Sequence, residues 1–241
     1  MRYSRSGNVI LLPGDDPDSI VDGMIETDYQ EEFCVSPRMD ADFTRALMRA
    51  GFLIMSVPLE NPEQALLLPK LHRERAVLFF GDLRRRRSVL RLAAKYELRA
   101  DEDFPTILER CAEKHGEDWL TPTLRRHFYE LRSRHGSSDP QLISFGLYRN
   151  GALKAGEFGV SLGGAYTSYS GYYDESSAGT IQMTLTGAFL EAGGYAFWDL
   201  GMPIAYKVDL GARVIPRSSF ISLFRSIREK RAPLLDPPPW T

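Results

Sequence analysis

The sequence predicts an α+β fold, a mixed sheet with flanking helices. Helical periodicity dominates the first half of the chain, and a β-hairpin with a third strand follows near residue 142. A helix, a short strand and a last helix then close the order. At 241 residues, 43% hydrophobic and 26% charged, the chain can bury a real core in one large domain, or in a medium one with a small partner.

Residues 42–50 place Phe43, Ala46, Leu47 and Ala50 at helical spacing, and Gly51 stops that helix. Residues 61–68 read as a second short helix, 76–80 as a strand and 83–95 as a helix. Phe104, Ile107, Leu108 and Cys111 repeat every three to four residues, which makes Cys111 core filler rather than a nucleophile. Thr121-Pro122 has the form of an N-cap followed by proline, and Leu124, Phe128 and Leu131 share one face of the helix it opens. Residues 142–148 and 153–162 flank Asn150-Gly151, the signature of a type I′ hairpin. Gly163-Gly164 turns the chain into a strand over 165–169. A helix over 180–192 ends at Gly193-Gly194, 195–199 is a strand, and a final helix begins near Ser218 with Phe220, Leu223, Phe224 and Ile227 on one side. The Pro-rich end, residues 233–241, reads as a flexible tail.

The net charge is −2, which excludes a globally basic coat but not a local basic face. Residues 1–32 carry eight acids and two bases. Residues 70–99 carry ten bases and three acids, a local charge of +7. Surface helices held by salt bridges mix signs, whereas a stripe of one sign suits phosphate. Two cysteines and four histidines leave little for a disulfide scaffold or a zinc site, and no metal is expected. His72, His115, His127 and His135 lie among charged residues and read as surface groups. No apolar run approaches the ~20 residues that span a bilayer, so a soluble cytoplasmic protein without a membrane partner is expected.

Phosphate loops of the Gly-x-x-x-x-Gly-Lys-Ser/Thr and Gly-x-Gly-x-x-Gly kinds are absent, as is a Gly-x-Ser-x-Gly elbow. So is an Arg/Gln-x-x-Gly-x-Gly/Ala turn, which disfavours coenzyme A. Four tyrosines stand within residues 166–173, too polar a run for a dry core, because each buried hydroxyl needs a partner. With Trp119, and with Asp199 at a strand end, they suggest a substrate cleft.

Several stretches together carry a resemblance. They are Ala46 to Phe52, Arg75-Ala-Val-Leu-Phe79, Arg87-Ser88, Phe104 to Ala112 and Asp118-Trp-Leu-Thr-Pro122. Leu153 to Val160 and Leu210 to Arg217 complete the set. Over residues 30–230 the chain resembles the leucyl/phenylalanyl-tRNA–protein transferase family. The resemblance implies a small N-terminal domain, residues 1–75, and an N-acetyltransferase-like (GNAT-like) domain over 76–232. It implies transfer of an amino acid from aminoacyl-tRNA to an acceptor protein or peptide with a free N-terminus, in a protein degradation (N-end rule) route. No cofactor and no coenzyme A would be needed, and a monomer is expected. Arg87, Arg91 and Lys95 match the family's tRNA-backbone positions, with Arg75, Arg84, Arg85 and Arg86 adding charge. Asp199 would assist the amine and Ser170 would contact the donor. Trp119, Glu157, Tyr166, Tyr169, Tyr172 and Thr186 would line the substrate site.

The chain departs from the family in the same region. The family's Asp-x-Gln reads Asp199-Leu200-Gly201, its Gly-Glu-Ser reads Ser168-Tyr169-Ser170, and its Trp-rich segment reads Leu68-Pro69-Lys70-Leu71. Family pocket positions that are usually apolar read Glu157, Tyr166 and Thr186. An unpaired carboxylate is costly in an apolar pocket. Either Glu157 turns away, or the donor side chain is not leucine or phenylalanine. Two alternatives stay open beside the transferase: a diverged tRNA- or peptide-binding relative without activity, and an acyltransferase with another small donor. The transferase reading expects Asp199, Tyr169 and Glu157 in one open cavity, with the arginines on the cavity's side.

Overall fold

A computed structural model describes residues 1–61, 64–133 and 139–230. The N-terminal part consists of β1 (Arg2–Tyr3), β2 (Val9–Ile10), α1 (Pro17–Glu26), α2 (Ala41–Arg49), β3 (Leu53–Pro58) and β4 (Ala65–Lys70). Next come β5 (Glu74–Leu78), a 3₁₀ turn (Phe80–Asp82), α3 (Arg87–Ala93), β6 (Glu97–Ala100), α4 (Phe104–His115) and α5 (Pro122–Ser133). The remainder is β7 (Gln141–Arg149), β8 (Ala152–Leu162), β9 (Ala165–Tyr173), α6 (Ala178–Ala192), β10 (Phe197–Asp199), α7 (Ala205–Leu210), β11 (Arg213–Pro216) and α8 (Arg217–Ile227). The mixed sheet with flanking helices is as the sequence predicts.

Local chemistry accounts for the boundaries. The Asp40 carboxylate accepts from the N–H of Phe43 to cap α2, and Gly51 ends that helix at φ +98°. Thr121 caps α5 by accepting from the N–H of Leu124. Asn150 and Gly151 both take positive φ, as a type I′ turn requires.

Two expected elements differ. The described residues of the helix expected over 61–68 are not helical. Ala65–Lys70 is a strand paired antiparallel with β3, from Leu53 opposite Lys70 to Pro58 opposite Ala65. The run Leu66-Leu67-Leu68 is short, and cross-strand pairing overrides its helical propensity. The helix expected over 83–95 shrinks to α3, because the adjacent like charges of Arg84 to Arg87 disfavour a helix N-terminus. His72 and His127 are buried rather than on the surface. Each has a polar partner, the carboxylate of Glu32 for His72 and the hydroxyl of Thr44 for His127. His135 and the tail over 233–241 lie outside the described residues.

Seven strands form one sheet in the order β11-β5-β10-β9-β8-β7-β6, all neighbours antiparallel except β9 and β10. Alternation along each strand divides the core in two. One face carries Val77, Phe158, Val160, Tyr172 and Phe197, packed on α2, α4, α5 and α8. The other carries Ala76, Leu78, Phe145, Tyr166 and Trp198, packed on α6 and α7. Ala93 of α3 joins Ala178 and Ile181 of α6 on that second face.

Candidate active site

Strands β9 and β10 pair only over Ala165–Phe197, Tyr166–Trp198 and Thr167–Asp199. From Ser168 onward β9 has β8 on one side and, among the described residues, no strand on the other. Such a parting at the carboxyl ends of parallel strands is where open α/β sheets hold ligands.

On the α6 face of this parting lies a buried polar chamber. Trp198 donates its indole N–H to Ser168 Oγ at 2.7 Å, and Ser168 donates to Glu157 Oε2 at 2.8 Å. Gln182 and Thr186, one turn apart on α6, are bonded to each other at 2.8 Å and lie beside the Glu157 carboxyl. Glu157 Oε1 and the Tyr166 hydroxyl are buried and have no hydrogen-bond partner among the described residues. The strands make room with glycine. Gly171 stands opposite Glu157, Gly159 stands opposite Ser168, and a Cβ on Gly159 would lie 2.2 Å from the Thr167 carbonyl.

Burial raises Glu157 from an ordinary 4.5 to about 7; the Ser168 hydroxyl, the neighbouring polar groups of Gln182 and Thr186 and the charge of Lys207 oppose the rise. Between those pH values the folded protein keeps a proton that the unfolded chain has released. The stability from this group is therefore full below 4.5 and declines as pH climbs through 7. Glu157→Gln is expected to flatten that decline, gaining on the order of 3 kcal/mol on the parent between pH 5 and pH 8. Urea unfolding at the two pH values measures it, and parallel pH dependences in parent and variant would refute the buried carboxyl.

The other expected site residues sit on the opposite face. Register shifts between Phe158 and Gly159 of β8, which pair with Ser170 and Ser168, so Tyr169 is the extra residue of a bulge. The bulge puts Tyr169 and Ser170 on the α4/α5 face together. The Tyr169 ring packs on Phe128 and Phe158, and its hydroxyl accepts from the N–H of Ile54. Ser170 lies beside the Cys111 thiol on α4, and Tyr172 lies under Arg110. Trp119 anchors β3 by accepting from Ser56 at its backbone carbonyl. Trp119, Tyr169, Ser170 and Tyr172 thus do not join Glu157, Tyr166 and Thr186.

Asp199 is also on the α4/α5 face and is wholly buried. Its Oδ2 accepts from Arg75 at 2.5 Å and its Oδ1 from the N–H of Gly201 at 2.9 Å. Arg75, equally buried, donates as well to the Gly51 carbonyl and stacks 4.3 Å from the Phe220 ring centroid. With both oxygens occupied and no solvent face, Asp199 does not meet an incoming amine. Arg75 likewise presents nothing to a phosphate. Both expectations are corrected: the pair is structural.

Arg84, Arg86, Arg87, Arg91 and Lys95 are exposed, with no ion pair to any described residue. Arg85 pairs with Glu191. Arg84 and Arg86 line a cavity of about 210 Å³ together with Thr180 and Met183 of α6 and Tyr206 of α7. The basic segment therefore lies on the α6 side, the side of Glu157. A larger cavity, about 630 Å³, lies between α1 and the start of α8. Its Arg217 is saturated by the carbonyls of Tyr29, Glu31, Leu71 and His72, and its Glu32 is held by Lys70, His72 and the N–H of Arg73. Those groups tie the N-terminal segment to the sheet.

Ser168, Gln182, Trp198 and Lys207 are the polar groups that sequence reasoning missed. Gln182 and Thr186 at i, i+4 were a usable signal. Lys207 offered none locally, yet its ammonium donates to the carbonyls of Leu200 and Met202 just past β10. Desolvation lowers its pKa, and the charges of Asp199 and Glu157 push it back up.

Among the described residues no helix is long and apolar enough to cross a membrane, and no group of three or more His, Cys, Asp and Glu could hold a metal. A family model described as leucyl/phenylalanyl-tRNA protein transferase matches residues 77–225. The chain is similar to the leucyl/phenylalanyl-tRNA–protein transferase of Pseudomonas putida (strain W619), 30% identical over 151 residues, or 61% of this chain and 65% of the relative. It is similar to that of Nitrosomonas eutropha, 29% identical over 161 residues, or 65% of this chain and 67% of the relative. The chain thus spans about 65% of the length of the first of these relatives. Among solved structures, FemX matches at TM-score 0.46 with 12% identity, covering 89% of this chain and 82% of that one. A GCN5-related N-acetyltransferase from Anabaena variabilis matches at TM-score 0.41 with 10% identity, covering 82% and 46%.

Proposed function

The chain belongs to the leucyl/phenylalanyl-tRNA protein transferase family, and from that premise we propose that it moves an aminoacyl group from a charged tRNA to the free N-terminal amine of a protein or peptide. The observation that carries this reading is the set of five exposed cations, Arg84, Arg86, Arg87, Arg91 and Lys95, which form no ion pair with any described residue and belong to the segment on the α6 side, the face that also holds Glu157. Cations without acidic partners suit a phosphate backbone, and phosphate contacts set affinity and orientation rather than sequence.

The reaction is aminolysis of an ester. The amine lone pair forms a C–N bond at the ester carbonyl, the C–O bond to the terminal ribose breaks, and the ribose oxygen leaves carrying the proton shed by nitrogen. An α-amine has a pKa of about 7.7–8.0, so a usable fraction is unprotonated at neutral pH. What remains is alignment and support for the carbonyl oxygen as it gains charge. Lys207 supplies positive charge at the strand ends, next to the chamber. In this reading the acceptor begins with Arg or Lys, the transfer marks it for degradation, and the setting is the cytoplasm.

The test is a transfer assay in which each of the twenty amino acids, carried on its tRNA, is offered with a peptide beginning in Arg. A peptide heavier by one residue, seen by mass spectrometry with at least one donor, is the expected result. No product with any donor would leave a tRNA-binding relative without activity.

A further inference from the structure

The chamber between β8, β9 and α6 is a polar island among the rings of Phe145, Phe189 and Trp198. A carboxyl, a phenol, a carboxamide and two hydroxyls converge there, and two of these groups, Glu157 Oε1 and the Tyr166 hydroxyl, are buried without a hydrogen-bond partner among the described residues. Buried polar atoms in folded proteins are nearly always bonded, so each orphan calls for a group the chain itself does not provide. Two features separate this chamber from ordinary core. It lies beside Ser168, where β9 loses its β10 partner, and Gly159 and Gly171 put no side chain into it.

We propose that this chamber receives the side chain of the donor amino acid, and that the side chain it selects carries an N–H or O–H group rather than being a plain hydrocarbon. The inference rests on the transferase reading above and adds the donor's chemistry to it. A donor N–H or O–H satisfies Glu157 Oε1, and the Tyr166 hydroxyl can turn to give or accept a second bond. A leucine or phenylalanine side chain would leave both groups buried and unbonded, the circumstance in which sites built for hydrogen bonding discriminate most strongly. The raised pKa of Glu157 agrees with a carboxyl that awaits a partner.

The experiment compares kcat/KM for single aminoacyl-tRNAs on one acceptor peptide: Leu, Phe and Met against Gln, Asn, Ser, Thr, His, Lys and Arg. At least one polar donor is expected to exceed Leu and Phe by about tenfold or more. Transfer led by Leu, Phe or Met overturns the inference while upholding the transferase reading. No transfer with any donor overturns both. Glu157→Leu is expected to move the ratio of polar donor to Leu by tenfold or more toward Leu. Tyr166→Phe removes one hydroxyl and keeps the ring, so it serves if the first variant does not fold. Because the ratio is measured within one preparation, a general loss of folded protein does not move it. Ratios unchanged from the parent in the folded variants overturn the assignment of the chamber to the donor side chain.

Discussion

An Asp199→Ala variant is expected to lose about 3–5 kcal/mol of folding stability, because it leaves the Arg75 guanidinium charged, buried and unpaired. Arg75 ties β5 to β10 through Asp199, reaches the carbonyl that ends α2 at Gly51, and stacks on Phe220 of α8. One substitution therefore loosens four elements. Replacing both partners by apolar residues, Arg75→Met with Asp199→Leu, is expected to recover much of the loss, since no lone charge then remains in the core. Urea denaturation of the single and double variants measures both effects. A single variant within about 1 kcal/mol of the parent that nonetheless fails to transfer would return Asp199 to a chemical role.

The second large effect concerns the exposed cations. Arg87→Ala with Arg91→Ala is expected to weaken tRNA binding and to make the log–log salt slope shallower by about 0.7–0.9 for each phosphate that is no longer neutralised. Folding stability should change by no more than about 0.5 kcal/mol, because both side chains are exposed and pair with no described residue. Arg110→Ala is the matched control: that residue is spent on Asp174 and lies against Tyr172, on the α4 side of the sheet. Filter binding across a salt series separates the outcomes. An unchanged slope in the double variant would remove the nucleic acid from this face.

Much of the fold was legible because it rests on local rules. The Asn150-Gly151 turn, the Thr121 cap and the spacing of Phe104, Ile107, Leu108 and Cys111 each need only neighbours within a few positions, and each stands as expected. The basic segment was equally plain, since charge composition requires no folding to read. Residues 61–68 were misread because three leucines in a row fit a helix face or a strand, and only β3 decides between them.

The site residues failed for a different reason. Tyr166 and Tyr169 look alike in a row of tyrosines, but strand alternation sends them to opposite faces of the sheet, and the bulge then brings Ser170 to the face of Tyr169. Asp199 looked like a free carboxylate at a strand end until Arg75, 124 positions earlier, closed on it. Chain-local patterns thus settled which helices and turns form, where positive charge collects and which family the chain resembles. Pairing register, the bulge at Tyr169 and packing between residues more than a hundred positions apart settled which polar groups are sealed as supports and which wait unbonded in the chamber. Facing and burial are properties of packed neighbours, and no window of sequence contains those neighbours.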